Sequence, residues 1–139
     1  MNRVVLDTNV TIAAFFWRGH PRTVYDLVLA GKITMLLSEE MEKEFVRVLG
    51  YPKFRLSPME ILPLIKNVRN NAELITTTSR LSVIAADPTD NIFLECAVDG
   101  KADAVITGDR HILNLGAYGG IQIVRPKDFL VKEGYAQNG

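Results

Sequence analysis

The chain has 139 residues, of which 47% are hydrophobic and 23% charged. That excludes a disorder-dominated or fibrous protein, and the length suffices to take about two-thirds of the unfolded surface out of water. Sixteen Lys and Arg balance sixteen Asp and Glu, so no net basic charge announces a nucleic-acid binder. The lone Cys96 excludes an intrachain disulfide and fits the core of a protein kept in a reducing compartment. No charged region followed by a long apolar stretch opens the chain, and no apolar run nears the roughly 18 residues of a membrane span. The expectation is one cytoplasmic domain over residues 1–139, with a flexible tail over 132–139.

Val4-Val5-Leu6 is an apolar run of β-formers without alternation, the pattern of a strand buried on both faces of a parallel sheet. Asp7 follows at its carboxyl end, where open α/β sheets bind their ligands. Asp7 or Asn9 also suits the cap of the helix through Ile12, Ala13 and Phe16. Pro21 starts a second helix through Val24, Leu27 and Val28, and Gly31 ends it. Ile33 to Leu37 is the second strand, and Ser38 caps a third helix with Glu39 and Glu40 in its first turn.

In that helix Met41, Phe45, Val48 and Leu49 are spaced for one buried face, and Glu44 falls within it. An acid on an inner stripe needs a partner or a metal, unless its stem merely covers the core from the rim. Glu39, Glu40 and Glu42 read as solvated. Ser57-Pro58-Met59-Glu60 is a capping box opening a fourth helix, and Glu73 to Ile75 is a short strand before the polar connection Thr76 to Arg80.

Asp87-Pro88-Thr89-Asp90-Asn91 turns into a helix containing Phe93, Leu94, Cys96 and Ala97, with Asp87 or Thr89 as its cap. Asp90 shares the face of Leu94 and Ala97 and therefore points inward. Ala104 to Thr107 is another apolar strand, ending in Gly108-Asp109, so the opening arrangement is repeated. The helix Arg110 to Leu113, Gly-rich punctuation, a strand Ile121 to Val124 and a helix Lys127 to Val131 complete the chain.

Asp7, Glu44, Asp90 and Asp109 thus converge on one end of one parallel sheet from separate elements. Clustered carboxylates repel, so they must be partly protonated or hold a cation. Mg²⁺ or Mn²⁺, as one ion or two, is the natural solution because both prefer oxygen ligands. Such a site activates water and stabilises charge on a phosphodiester. Zn²⁺ fits poorly, since His20 and His111 stand without Cys pairs. There is no Ser or Cys nucleophile pattern, and the glycines at 108, 116, 119 and 120 lack dinucleotide spacing.

Val4 to Asn9, Glu44, Asp87 to Asn91 with Phe93-Leu94-Glu95, and Ala102 to Asp109 together resemble the motif set of PIN-domain ribonucleases, most closely the small prokaryotic toxins of toxin–antitoxin pairs. The resemblance covers roughly residues 2–131. It implies a three-layer α/β/α sandwich around a mostly parallel, Rossmann-like sheet of five strands. It also implies metal-dependent cleavage of RNA, a homodimer, and inhibition by a small antitoxin protein.

Carried over residue by residue, Asp7, Glu44, Asp90 and Asp109 match the catalytic metal-binding acids. Asn9, Thr107 and Thr8 match supporting positions, and Asp87 reads first as a turn residue behind them. Arg110, Arg18, Arg22 and Lys101 are candidates for RNA phosphates, though a scattered solvated face explains them equally. Phe15, Phe16 and Trp17 suit base stacking, with packing expected for at least two of the three. Asp103 reads as a loop residue, Asp99 and Glu95 as solvated helix acids, and His111 as a surface histidine. Two rivals stand beside this reading. One is a Mg²⁺-dependent phosphatase of haloacid-dehalogenase type, which needs an acid where Asn9 stands; the other is a non-catalytic module that binds RNA or an antitoxin.

Overall fold

A computed structural model describes residues 2–137. Its central sheet has six strands in the order β3-β2-β1-β4-β6-β5. They are β1 (Arg3–Leu6), β2 (Thr34–Ser38), β3 (Ala72–Ile75), β4 (Ala104–Ile106), β5 (Ala117–Tyr118) and β6 (Ile121–Val124). All pairings are parallel except β5 with β6. The expected five parallel strands are therefore present, and a sixth, antiparallel strand is added at one edge. Gly119 and Gly120 turn that hairpin with φ of 54° and 83°, values that only glycine adopts at little cost in consecutive positions.

The helices are α1 (Thr8–Phe16), α2 (His20–Leu29), α3 (Glu39–Leu49), α4 (Pro58–Asn70), α5 (Asn91–Asp99), α6 (Arg110–Leu113) and α7 (Pro126–Lys132). They flank the sheet in the three-layer arrangement, with α5 lying against β1, β2 and β4. Val4, Val5, Ala104, Val105 and Ile106 are wholly buried, as unbroken apolar strands require. Among the described residues no helix is long and apolar enough to cross a membrane.

Strand order places the chemistry. From β1 the chain runs outward to β2 and β3, then returns to the other flank of β1 as β4, so the direction of winding reverses between β1 and β4. A crevice opens outside the carboxyl ends of strands at such a reversal. Asp7 leaves β1 there, and Thr107 to Asp109 leave β4 beside it.

The connection from β3 to α5 has no regular structure before Pro88, and α5 itself holds it. Asn91, Glu95 and Asp99 stand four residues apart, so they share one helix edge. Asn91 Oδ1 accepts from the amides of Val83 and Ile84, at 3.0 and 2.9 Å. Glu95 Oε2 accepts from Leu81 N at 2.8 Å, and Asp99 accepts from the amides of Thr78 and Ser79. The expectation of solvated acids at Glu95 and Asp99 is thereby corrected, Glu95 being buried: loop amides that no strand satisfies need acceptors, and these residues supply them. Glu40 and Glu42 are likewise half-buried, bonded to Thr77 and Arg69. Asp103 accepts from the amides of Asn2 and Arg3, fastening the start of β1.

The tail expected over 132–139 is tied down as far as Ala136. Tyr135 and Ala136 both donate their amides to Leu130 O, and Ala136 packs against the core. Residues 138 and 139 lie outside the described part.

Gly100 is needed for space. A Cβ there would meet Leu36 Cδ1 at 2.7 Å and Cys96 O at 2.9 Å. Gly100→Ala is expected to lower stability by about 1–3 kcal/mol through overpacking, read from urea denaturation; an unchanged midpoint would contradict this packing.

Candidate active site

The side chain of each candidate acid is fixed by its own element. Asp7 is the N-cap of α1, with Oδ1 accepting from Val10 N at 2.8 Å. Its Oδ2 accepts from the hydroxyl of Thr107 in a very short bond. The alternatives of cap and site residue are thus not exclusive, because the same carboxylate caps α1 and lines the crevice. Thr107, wholly buried, turns its oxygen to Asp109 as well, accepting from that residue's amide at 3.0 Å. One hydroxyl therefore couples the ends of β1 and β4. Asp109 caps α6 by accepting from His111 N at 2.7 Å.

Glu44 comes in from α3, its side chain 16% exposed, and accepts from Thr8 Oγ1 at 2.8 Å. Asp90 ends the short 3-10 turn before α5 and is buried. Its Oδ2 is enclosed and has no hydrogen-bond partner among the described residues. Asp87 lies on the exposed rim, where its Oδ1 accepts from the amide and hydroxyl of Thr89. It serves as the cap of that turn, as the sequence suggests, while also lining the crevice.

Asp7, Glu44, Asp90 and Asp109 meet in a cleft of about 490 Å³. Their proximity shows in their acidities. Burial pushes the Asp7 carboxyl up to about 6, against the pull of Thr107 and Val10, and the charges of Asp109 and Glu44 add to the rise. Asp90 is pushed up to about 7 by burial and then by the charges of Asp87, Asp109, Glu44 and Asp7.

The supporting residues divide. Thr107 and Thr8 each hold an acid, whereas Asn9 is exposed on the cleft wall and bonds to none of the four. The expected phosphate-binding cations fare worse. Lys101 lies before β4, hence at the amino end of the sheet, opposite the cleft. Arg22 is engaged by Asp26 and by Ala14 O. Arg18 and Arg110 are exposed and outside the cleft lining. Of the aromatic trio, Phe15 packs on Tyr25 and Phe16 stacks on Phe54, while Trp17 is 61% exposed.

The cations that do line the cleft are Arg47 and Lys53, with Tyr51 between them. Arg47 donates to the Tyr51 hydroxyl at 2.7 Å and approaches Glu44 at 3.5 Å. Sequence reasoning passed over them, although Arg47 stands three residues after Glu44 and so shares its helix face.

Among the described residues no group of three or more His, Cys, Asp or Glu side chains is close enough to clasp an ion unaided. The donor set nevertheless suits a hard cation that keeps part of its water and takes only one or two carboxylates directly. The buried, partnerless Oδ2 of Asp90 is the sharpest sign of fit, since such an atom ordinarily finds a donor or a cation.

A carboxyl whose folded pKa lies above its unfolded value binds more protons in the native state. Its penalty is absent below the unfolded value near 3.8 and grows as pH rises through about 6 and 7 for Asp7 and Asp90. In EDTA, stability should fall as pH rises across this window. Asp7→Asn should then stabilise the protein by about 1–3 kcal/mol at pH above 7 and by little near pH 4. Thermal denaturation of both proteins across pH checks this; equal stability of the two at high pH would contradict the strain.

No curated protein matches the chain. A family model described as PIN domain matches residues 3–111, a span that begins at β1 and ends just past Asp109. With that match covering most of the sequence, the chain belongs to the PIN-domain family.

Proposed function

We propose that this protein is a metal-dependent endoribonuclease in which Asp7, Glu44, Asp90 and Asp109 form the catalytic cluster. PIN domains are as a class metal-dependent nucleases, and that membership sets aside the haloacid-dehalogenase alternative. The observation that carries the reading is Asp90 Oδ2, an oxygen buried among like charges without a donor. Bound Mg²⁺ or Mn²⁺ would supply a polarised water and countercharge for in-line attack on a phosphodiester. In that hydrolysis the water oxygen bonds to phosphorus and the bond from phosphorus to the leaving sugar oxygen breaks.

The chain's own residues prepare this. Asp7 is held against rotation by Val10 N and the Thr107 hydroxyl, and Glu44 by Thr8. Such outer bonds orient ligands and keep them basic. Arg47 and Lys53 bring positive charge to the wall of an otherwise acidic cleft, where the substrate backbone must approach. RNA as the substrate, a homodimer and a small antitoxin partner belong to this proposal through the likeness to toxin–antitoxin ribonucleases.

The test is cleavage of defined single-stranded RNAs with Mg²⁺, Mn²⁺ or EDTA. Asp7→Asn and Asp90→Asn should abolish the metal-dependent product while circular dichroism stays native. Thr107→Val should lower activity by about 10–100-fold, as loss of an orienting partner does. Equal background from wild type and Asp7→Asn would leave a binding module and end the nuclease reading.

A further inference from the structure

A second cleft, of about 370 Å³, shares its wall with the acidic one. Asn9 lines both, and Gly108, which precedes Asp109, lines the second. Its character is different. Val10 and Ala13 present one face of α1, and Pro21 and Pro126 close it with rings that carry no amide hydrogen. Around these apolar walls stand three bases: His20 at the start of α2, and Arg125 and Lys127 at the start of α7. All three are exposed. None has an ion-pair partner among the described residues, although Asp and Glu equal Lys and Arg in number.

Unpaired cations beside a cleft of carboxylates have an electrostatic meaning. A polyanion drawn to the acidic centre needs positive charge on either flank of it. Arg47 and Lys53 stand on the α3 side; Arg125 and Lys127 stand across Asn9 on the α7 side. Apolar walls beside a cationic mouth suit a planar base with a phosphate attached, because the faces of a base stack on apolar surface while phosphate seeks Arg and Lys.

We infer that the cleft between α1, α2 and α7 binds the nucleotide adjoining the scissile phosphate in a single-stranded RNA, with its base against Val10, Ala13 and the two prolines and its phosphate on Arg125 and Lys127. This inference rests on the ribonuclease reading for its substrate, but binding tests it without any cutting. Arg125 and Lys127 are binding residues in it, and Asn9 is the threshold between the two clefts.

The experiment measures fluorescence anisotropy of a short labelled single-stranded RNA with the full chain in EDTA, titrating salt. The RNA should bind the wild type. The double variant Arg125→Ala with Lys127→Ala should bind about tenfold more weakly, and its salt slope should fall by about 1, for the one phosphate left without its cations. Ala13→Leu, which fills the cleft and keeps every charge, should weaken binding with the slope unchanged. In Mg²⁺ both should raise KM more than they lower kcat.

Wild-type failure to bind the RNA, or unchanged affinity and KM in both natively folded variants, would overturn the inference. So would tight capture of a free nucleoside monophosphate with no effect of the variants on RNA. If Asp7→Asn cuts as the wild type does while the variants still weaken binding, only the ribonuclease reading is lost.

Discussion

The structure turns on negative charge that is buried where it repels itself. Asp7 and Asp90 are almost sealed from water, yet they sit within reach of Glu44 and Asp109. Left alone, carboxylates so placed take up protons or move apart. Moving apart is blocked here, because Asp7 is clamped at the mouth of α1 and Asp90 lies in the turn that opens α5, so both carboxyls hold their protons to higher pH than usual. In the function proposed here a divalent cation would relax the cluster without breaking the fold, and the same charge concentration that costs stability would favour its binding.

The rest of the fold keeps those side chains from swinging away. Parallel pairing aligns the carboxyl ends of β1 and β4, and the Thr107 hydroxyl spans the gap between them. On the other flank α5 carries the irregular connection on Asn91, Glu95 and Asp99, so the segment that delivers Asp87 and Asp90 is fastened along its length. Packing beneath it is tight enough that Gly100 has no room for a methyl group. The scaffold is therefore rigid on both sides of a polar centre, as a site built to orient ligands requires.

Much of this was legible in local pattern. Two unbroken apolar runs, each followed by an acid, located the strands and the end of the sheet that matters. Helical spacing singled out Glu44 from its neighbours on α3. What stayed hidden were contacts set by tertiary structure. Glu95 and Asp99 look like ordinary surface acids until one asks where the amides of residues 78–84 find acceptors. Lys101 and Arg22 look like free cations until the sheet polarity and Asp26 remove them. Arg47 and Lys53 flank the cleft only because α3 delivers both its own last turn and the segment after it to the same rim. The edge strand β5 is two residues long, too short for any periodicity, and its signal lay in the Gly119-Gly120 pair instead.

If the charge cluster is what demands a cation, binding must displace the protons that the buried acids retain. Calorimetric titration of Mn²⁺ into the metal-free protein near pH 6.5, in two buffers of different ionisation enthalpy, counts those protons directly. A cation-demanding cluster predicts saturable binding with release of about one proton, and loss of both in Asp90→Asn. Binding without proton release, or undiminished in that variant, would contradict it.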